Sequence, residues 1–257
     1  MAGTFYPRDA RTLAETVDAL LRHARTEATG ATRARPPRAL VVPHAGYRYS
    51  GLVAALAYAT LSGPAVRRAV VIGPAHFVPL AGWAVPLTAY WRTPLGVMPI
   101  DVDLRDRALE VTGVRADDRP HASEHSLEVQ LPFLQRCVTS DLPVLPVAVH
   151  GPPEATADLL DAVAGDAGTT VVASTDLSHH LPRAAAGQRD RRTAAAVLDL
   201  RPQLVDDRSA CGAHALRGLL TWARRHDLRA QLLGLATSAD AGGNPTRVVG
   251  YGAFALA

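Results

Sequence analysis

Three apolar runs of this chain end in side chains that can ligate a metal or move a proton. Ala39-Leu-Val-Val-Pro-His44 ends in His44, and Arg68-Ala-Val-Val-Ile-Gly-Pro-Ala-His76 ends in His76. Thr169-Thr-Val-Val-Ala-Ser-Thr-Asp176 ends in Asp176, with Ser178-His179-His180 just beyond. Imidazole is the commonest protein metal ligand and titrates near neutral pH. Two histidines with one anionic ligand and open positions suit a catalytic zinc or a non-heme Fe(II). A lone histidine after a strand is ordinarily a hydrogen-bonded loop residue. Three such endings at the same relative place point instead to one shared polar site.

Two further regions carry chemistry. Cys211 precedes Gly212 at a predicted helix start. It reads either as a thiol whose pKa the helix N-terminus lowers or as a small buried apolar side chain. Cys137, in the run Leu134 to Val138, reads as core. The segment His121 to Phe133 sets Glu124, His125 and Glu128 among Leu127, Leu131 and Phe133. It reads either as a capping region with a solvated acidic face or as polar groups beside the site.

Composition removes several alternatives. All 27 basic residues are arginine. Without lysine there is no Schiff-base amine and no P-loop lysine. Two cysteines and no C-x-x-C exclude a disulfide framework and a multi-cysteine zinc site. No G-x-S-x-G, G-x-G-x-x-G or H-E-x-x-H is present. A net charge of +3 over 257 residues, with scattered arginines, argues against a nucleic-acid partner. No basic-then-apolar leader and no ~20-residue apolar stretch occurs, so the expectation is a cytoplasmic protein with no membrane span.

These side chains need strands and helices to bring them together. Continuous short apolar runs suit strands buried on both faces of a parallel sheet. Strands are expected at Ala39–His44, Arg68–His76, Trp83–Leu87, Leu145–His150, Thr169–Asp176, Ala230–Ala236 and Arg247–Phe254. Apolar spacing predicts helices over Thr12–Ala28, Gly51–Leu61, Leu104–Val111, Glu154–Ala164, Gln188–Leu198 and Cys211–Arg225. A further helix is expected over Ser126–Cys137, kinked at Pro132. Gly30 to Arg38 reads as a Pro/Arg-rich break. The alternation predicts one α/β domain over residues 1–257, with a central mostly parallel sheet flanked by helices. In such sheets ligands gather outside the carboxyl ends of the strands.

The chain resembles the Memo-like family, also called AmmeMemoRadiSam system protein B. The matching stretches are Ala2-Gly-Thr-Phe-Tyr-Pro7, Pro43-His-Ala-Gly-Tyr-Arg-Tyr-Ser-Gly51, Gly73-Pro-Ala-His76 and Glu124-His-Ser-Leu-Glu-Val-Gln-Leu-Pro-Phe133. Ser174-Thr-Asp-Leu-Ser-His179, Cys211-Gly212 and Val248-Val-Gly-Tyr251 complete the set from one end of the chain to the other. The resemblance implies a scaffold like that of the class III extradiol dioxygenases, which are non-heme iron enzymes. It implies metal ligands at His44, His76 and Cys211, with Fe(II) as the metal and Cu or Zn as the other candidates. It places His179 as an acid/base group with Asp176 orienting it. Tyr47, His125 and Glu128 would shape the substrate pocket.

The chain departs from the family before its last strand, where Thr237-Ser-Ala-Asp-Ala-Gly-Gly stands and Asp240 is left to keep the acidic role. His214 also departs, and reads as a surface or packing residue. The implied function is an iron-dependent oxidoreductase acting on a small molecule or peptide, with radical-SAM proteins as pathway partners. The alternative is a non-catalytic metal-binding or interaction module.

Overall fold

Short strands buried on both faces organise this protein, a computed structural model of which describes residues 1–27, 36–61 and 65–257. Helix α1 (Ala10–Glu27) leads to β1 (Ala39–Val42), α2 (Tyr47–Tyr58) and β2 (Arg68–Gly73). Strand β3 (Gly82–Val85) precedes a hairpin, β4 (Tyr90–Thr93) with β5 (Gly96–Pro99), then α3 (Val102–Leu109), β6 (Val114–Ala116) and α4 (Arg119–Ala122). Next come α5 (Leu131–Cys137), β7 (Val144–His150), α6 (Pro153–Val163) and β8 (Thr169–Ser174). The chain closes with β9 (His179–Leu181), α7 (Arg183–Leu198), α8 (Ala213–Arg225), β10 (Ala230–Thr237) and β11 (Val248–Leu256).

The main sheet has the order β10-β11-β1-β8-β2-β7-β3-β6, with β9 added to β11. Its centre is parallel: β8 lies between β1 and β2, and β7 flanks β2. The flanking strands β11 and β3 join antiparallel. Along β1, Ala39 and Val41 face one apolar layer while Leu40 and Val42 face the other. β2 and β8 alternate in the same way. The first layer is closed by α3, α6, α7 and α8, the second by α1, α2 and α5. Each valine, leucine or isoleucine among them contributes roughly 1.5–3 kcal/mol on burial. A one-residue slip would turn both sets over, so register is tightly held.

Register then levels the carboxyl ends. Val42 pairs with Ser174, Ile72 with Ala173, and Gly73 with Ala148. His44, Asp176 and His76 therefore leave three adjacent strands at one height.

The structure corrects several expected bounds. The helix expected from Gly51 starts at Tyr47, and the one expected from Gln188 starts at Arg183. Ser126–Cys137 is no single kinked helix: a 3-10 turn, Glu128–Gln130, precedes α5, and Pro132 lies in the first turn of α5. There its missing N–H costs nothing. The β4–β5 hairpin, β6 and β9 are too short or too polar to stand out by periodicity. Ala28 and most of the Gly30–Arg38 break lie outside the described residues.

One close contact anchors the helical layer behind the site. A Cβ at Gly218 of α8 would collide with the Thr156 side chain of α6. Thr156 cannot yield easily, because its hydroxyl donates to Pro152 O (2.9 Å) and accepts from Trp83 Nε1 (3.1 Å). Gly218→Ala is expected to lower the unfolding free energy by about 1–3 kcal/mol, measurable as a shifted urea midpoint with an unchanged slope.

Candidate metal centre

His44 follows β1 and is 2% exposed. Its backbone N–H donates to Asp176 Oδ1 (2.8 Å), and its Nδ1 lies 3.0 Å from Ser174 Oγ. Ser174 already donates its proton to Ser126 O (2.5 Å) and accepts from Gln130 Nε2 (2.8 Å). Tyr58 donates to Gln130 Oε1 (2.9 Å), which fixes that amide's orientation. Ser174 Oγ can therefore only accept from His44, so Nδ1 carries the hydrogen and Nε2 keeps its lone pair. Burial, with His76 and His125 close by, holds the His44 pKa well below the usual imidazole value. The ring is neutral, as a ligand must be.

His76 leaves β2 on the open side of the cluster. Both its backbone N–H and its Nδ1 are held by the Glu124 carboxylate, the latter at 2.9 Å. Glu124 also accepts from the backbone N–H groups of His125 (3.0 Å) and Ser126 (2.9 Å). Burial opposes its ionisation. The bonds from His76 and Ser126 outweigh that and hold its pKa down to about 2. Glu124 is 2% exposed, so the segment is not a solvated acidic face. A carboxylate on Nδ1–H is the partner that aims and enriches Nε2 of a metal-binding histidine.

His125 joins the same cluster. Its ring lies between Phe5, stacked at 4.3 Å, and His76, stacked at 4.9 Å. Its Nδ1 is buried and makes no hydrogen bond, lying 3.3 Å from Glu124 Oε1. One ligand atom from each of His44, His76 and His125 lies within 4.8 Å of the others. From the sequence, His125 falls in the substrate pocket, Glu124 reads either as a solvated cap or as a polar group beside the site, and Ser174 and Gln130 carry no assigned role. The adjacent Glu124-His125 pair was the available signal.

Cys211 sits just before α8. Its Sγ lies 3.2 Å from His44 Nε2. An imidazole nitrogen and a thiolate on one zinc-like ion are about 3.1 Å apart at a right angle and about 3.6 Å apart at a tetrahedral one, so this pair falls within co-ligand spacing. The expected helix-end effect does not win: burial, with Asp176 adding to it, pushes the Cys211 thiol up to about 12. Without a cation it is a thiol donating to His44. Gly212 allows the approach, since a Cβ there would meet Thr175 Cβ at 2.8 Å and Ser174 O at 2.9 Å. Cys137 is also raised to about 12 by burial.

Asp176 is buried beneath His44, and burial pushes it up to about 7 against the hydrogen bonds from the backbone. His179 lies at the rim in β9. Its Nδ1–H donates to Leu177 O (2.8 Å), leaving Nε2 free. Packing, with His180 and His76 nearby, lowers its pKa, although the residue keeps an exposed face.

The remaining candidates lie outside this cluster. Tyr47 donates to Val129 O (2.6 Å) and packs on Phe133, bracing the segment after His125. Glu128 accepts from Tyr6 (2.5 Å). Asp240 caps the 238–241 turn through Thr237 N–H (2.7 Å) and pairs with Arg183.

The donor chemistry fits a transition metal: two imidazoles, His44 and His76, whose Nδ1 atoms are held by Ser174 and Glu124, a thiol 3.2 Å from His44 Nε2, and the orphaned buried Nδ1 of His125. The fold and site therefore define an α/β protein with a histidine-rich centre at the carboxyl edge of its sheet. Residues 1–255 match the Memo family, described as Memo-like protein. The chain belongs to that family. It is 36% identical over 198 residues to a MEMO1 family protein of Aquifex aeolicus, covering 74% of this chain and 70% of that one. It is 33% identical to one of Methanosarcina acetivorans, over 99% of this chain and 96% of that one. It is 29% identical to one of Nitrosopumilus maritimus, over 99% and 97% respectively. Among the described residues no helix is long and apolar enough to cross a membrane.

The Asp176–His179 turn is itself held from α7. Ser178 N–H donates to Asp190 Oδ1 (3.0 Å), while Asp190 Oδ2 is buried without a partner. Burial raises the Asp190 pKa. A carboxyl raised on folding stabilises fully below its unfolded pKa of about 3.9 and loses that contribution as pH climbs through the raised value. Asp190→Asn should therefore gain on the wild type with rising pH, by about 1–3 kcal/mol near neutrality. Urea midpoints between acid and neutral pH measure the difference, and parallel profiles for the two proteins contradict it.

Proposed function

We propose that the cluster is a mononuclear transition-metal centre and that the protein is a metal-dependent oxidoreductase with Fe(II) as its working metal. The observation that carries this reading is the convergence of three imidazoles within 4.8 Å. His44 and His76 would hold the ion through Nε2, with Cys211 as the anionic ligand and His125 beside them as a further nitrogen donor. Bound there, iron supplies one-electron chemistry and open positions for dioxygen and substrate. The resemblance to the Memo-like family, which implies a scaffold like that of the class III extradiol dioxygenases, agrees with the same class of chemistry.

The chain's own groups do the rest. Glu124 keeps a proton on His76 Nδ1, and Ser174 keeps one on His44 Nδ1, so both rings stay ligand-competent. Cys211, whose thiol faces His44 Nε2 at 3.2 Å, would release its proton to solvent on serving as the anionic ligand. His179, with Nδ1–H tied to Leu177 O and a lowered pKa, offers Nε2 as a base at neutral pH. It takes a proton from a small-molecule or peptide substrate at the open side and returns it to product. Phe77, exposed beside His76, provides an apolar wall for that substrate.

Anaerobic purification with metal analysis should find roughly one metal per folded chain. His44→Ala, His76→Ala and Cys211→Ser should each lose it while keeping the far-UV circular dichroism. Full retention in Cys211→Ser removes the thiol from the ligand set. Glu124→Gln should weaken affinity by about 10–100-fold.

After Fe(II) loading, oxygen uptake with catechols and small peptides tests turnover. His179→Ala should keep the metal and lose about 10²–10⁴-fold in rate. Because His179 acts as a base with a lowered pKa, kcat/KM should rise through a pH below the ordinary imidazole value and level off above it. Tight metal binding with no oxygen uptake across the panel favours the alternative, a non-catalytic metal-binding module.

A further inference from the structure

Among the described residues, β4 and β5 pair only with each other. The inner face of this hairpin is closed. Met98 is fully buried, Thr93 donates to Gln135 Oε1 (2.6 Å), and Trp91 packs against His121 at 5.6 Å. The outer face is open: Tyr90 is 54% exposed, Val97 is 44% exposed, and Arg92, paired across the hairpin with Val97, is exposed as well. Five of the ten exposed large apolar side chains among the described residues lie between Leu87 and Leu109, so apolar exposure is concentrated on this hairpin and α3. Register fixes which backbone groups point outward. Ile100 N–H donates to Ala89 O (2.9 Å), so these two residues form a hydrogen-bonded pair. Alternation makes Trp91–Met98 and Thr93–Gly96 bonded pairs too, and turns the N–H and C=O groups of Tyr90, Arg92 and Val97 outward. Pro99 has no N–H, which blunts the β5 edge. The β4 edge has no such block. There the outward groups of Tyr90 and Arg92 have no partner among the described residues, and neither side chain makes a hydrogen bond, ion pair or ring contact.

We propose that the β4 edge is the contact of a homodimer, in which β4 pairs antiparallel with β4 of a second copy about a two-fold axis through Trp91. That axis sets Tyr90 of each copy opposite Arg92 of the other. Both residues turn their backbone groups outward, so each such pair exchanges both N–H···O bonds. On the outer face the guanidinium of Arg92 then meets the ring of Tyr90 across the join, a cation–π pair made twice by symmetry. An edge arginine ordinarily discourages strand pairing. Here the register faces it with an aromatic ring and not with the other arginine. A second copy fits better than a foreign strand because this edge carries both members of the complementary pair. The two hairpins join into one four-stranded sheet. The contact is small beside the roughly 800 Å² per partner of a standard interface, so the dimer is weak and concentration-dependent. It involves none of the residues of the His44 cluster and does not depend on that centre holding a metal.

Sedimentation velocity of the full chain from about 1 μM to about 1 mM tests it. The weight-average mass of the wild type should rise with concentration from 27.2 kDa toward twice that value. Arg92→Glu sets a carboxylate against the negative face of the tyrosine ring and should move the midpoint to a concentration about 10-fold higher or more. Arg92→Pro removes an outward N–H that the folded monomer does not use, and should abolish the dimer with unchanged far-UV circular dichroism. Arg191→Glu makes the same charge change on the exposed side of α7 and should leave the midpoint where it is. A wild type that stays monomeric across the range overturns the proposal and leaves the edge to a strand of another protein. Self-association with the wild-type midpoint in both Arg92→Glu and Arg92→Pro places the contact elsewhere and overturns it as well. So does an equal shift in Arg92→Glu and Arg191→Glu, which makes the effect one of net charge.

Discussion

The buried hydroxyl of Ser174 is the point on which the centre turns. It ends β8, the strand between β1 and β2, so it lies at the middle of the sheet's carboxyl edge. Its proton goes to Ser126 O and its lone pairs face Gln130 and His44. One oxygen thereby couples three separate stretches: the strand end that carries His44, the segment that carries Glu124 and His125, and the strand that runs on to Asp176. A buried hydroxyl with an unmet bond costs about 1–3 kcal/mol. That penalty ties the orientation of His44 to correct packing of the whole edge.

Glu124 does for His76 what Ser174 does for His44, with charge added. Four donors reach this carboxylate: His76 N–H and Nδ1–H, His125 N–H and Ser126 N–H. Burying a carboxylate is costly unless it is fully bonded, so the acid is stable there only while the His76 and His125 backbones keep their places. The same bonds shape the loop and set the imidazole tautomer. Cys211 belongs to a different logic. Its burial resists the thiolate that its helix-end position would favour, and a cation held there would reverse the balance.

Much of this was legible before folding was considered. The apolar runs ending at His44, His76 and Asp176 follow from strands buried on both faces, and register then levels their ends. Cys211 was ambiguous because helix-end electrostatics and burial push a thiol in opposite directions, and only the packing says which is larger. Glu124 was left between two readings by its type: a glutamate beside a predicted helix is ordinarily solvated, and only its burial against His76 decides for the site. Asp240 was read as a site residue because it is acidic and close to a motif. Its bonds to Thr237 and Arg183 instead close a local turn.

The sequence by itself determined which strands lie at the centre and which ligand-capable residues stand at their ends, because apolar runs and their exits are local patterns. The tertiary structure decided which imidazoles meet, which nitrogen of each keeps its lone pair, and that His125 stands with His44 and His76. It likewise set His150 against His214. Those outcomes depend on hydrogen bonds and ring contacts between residues far apart in the chain, and such distances are set only when the layers close on the sheet.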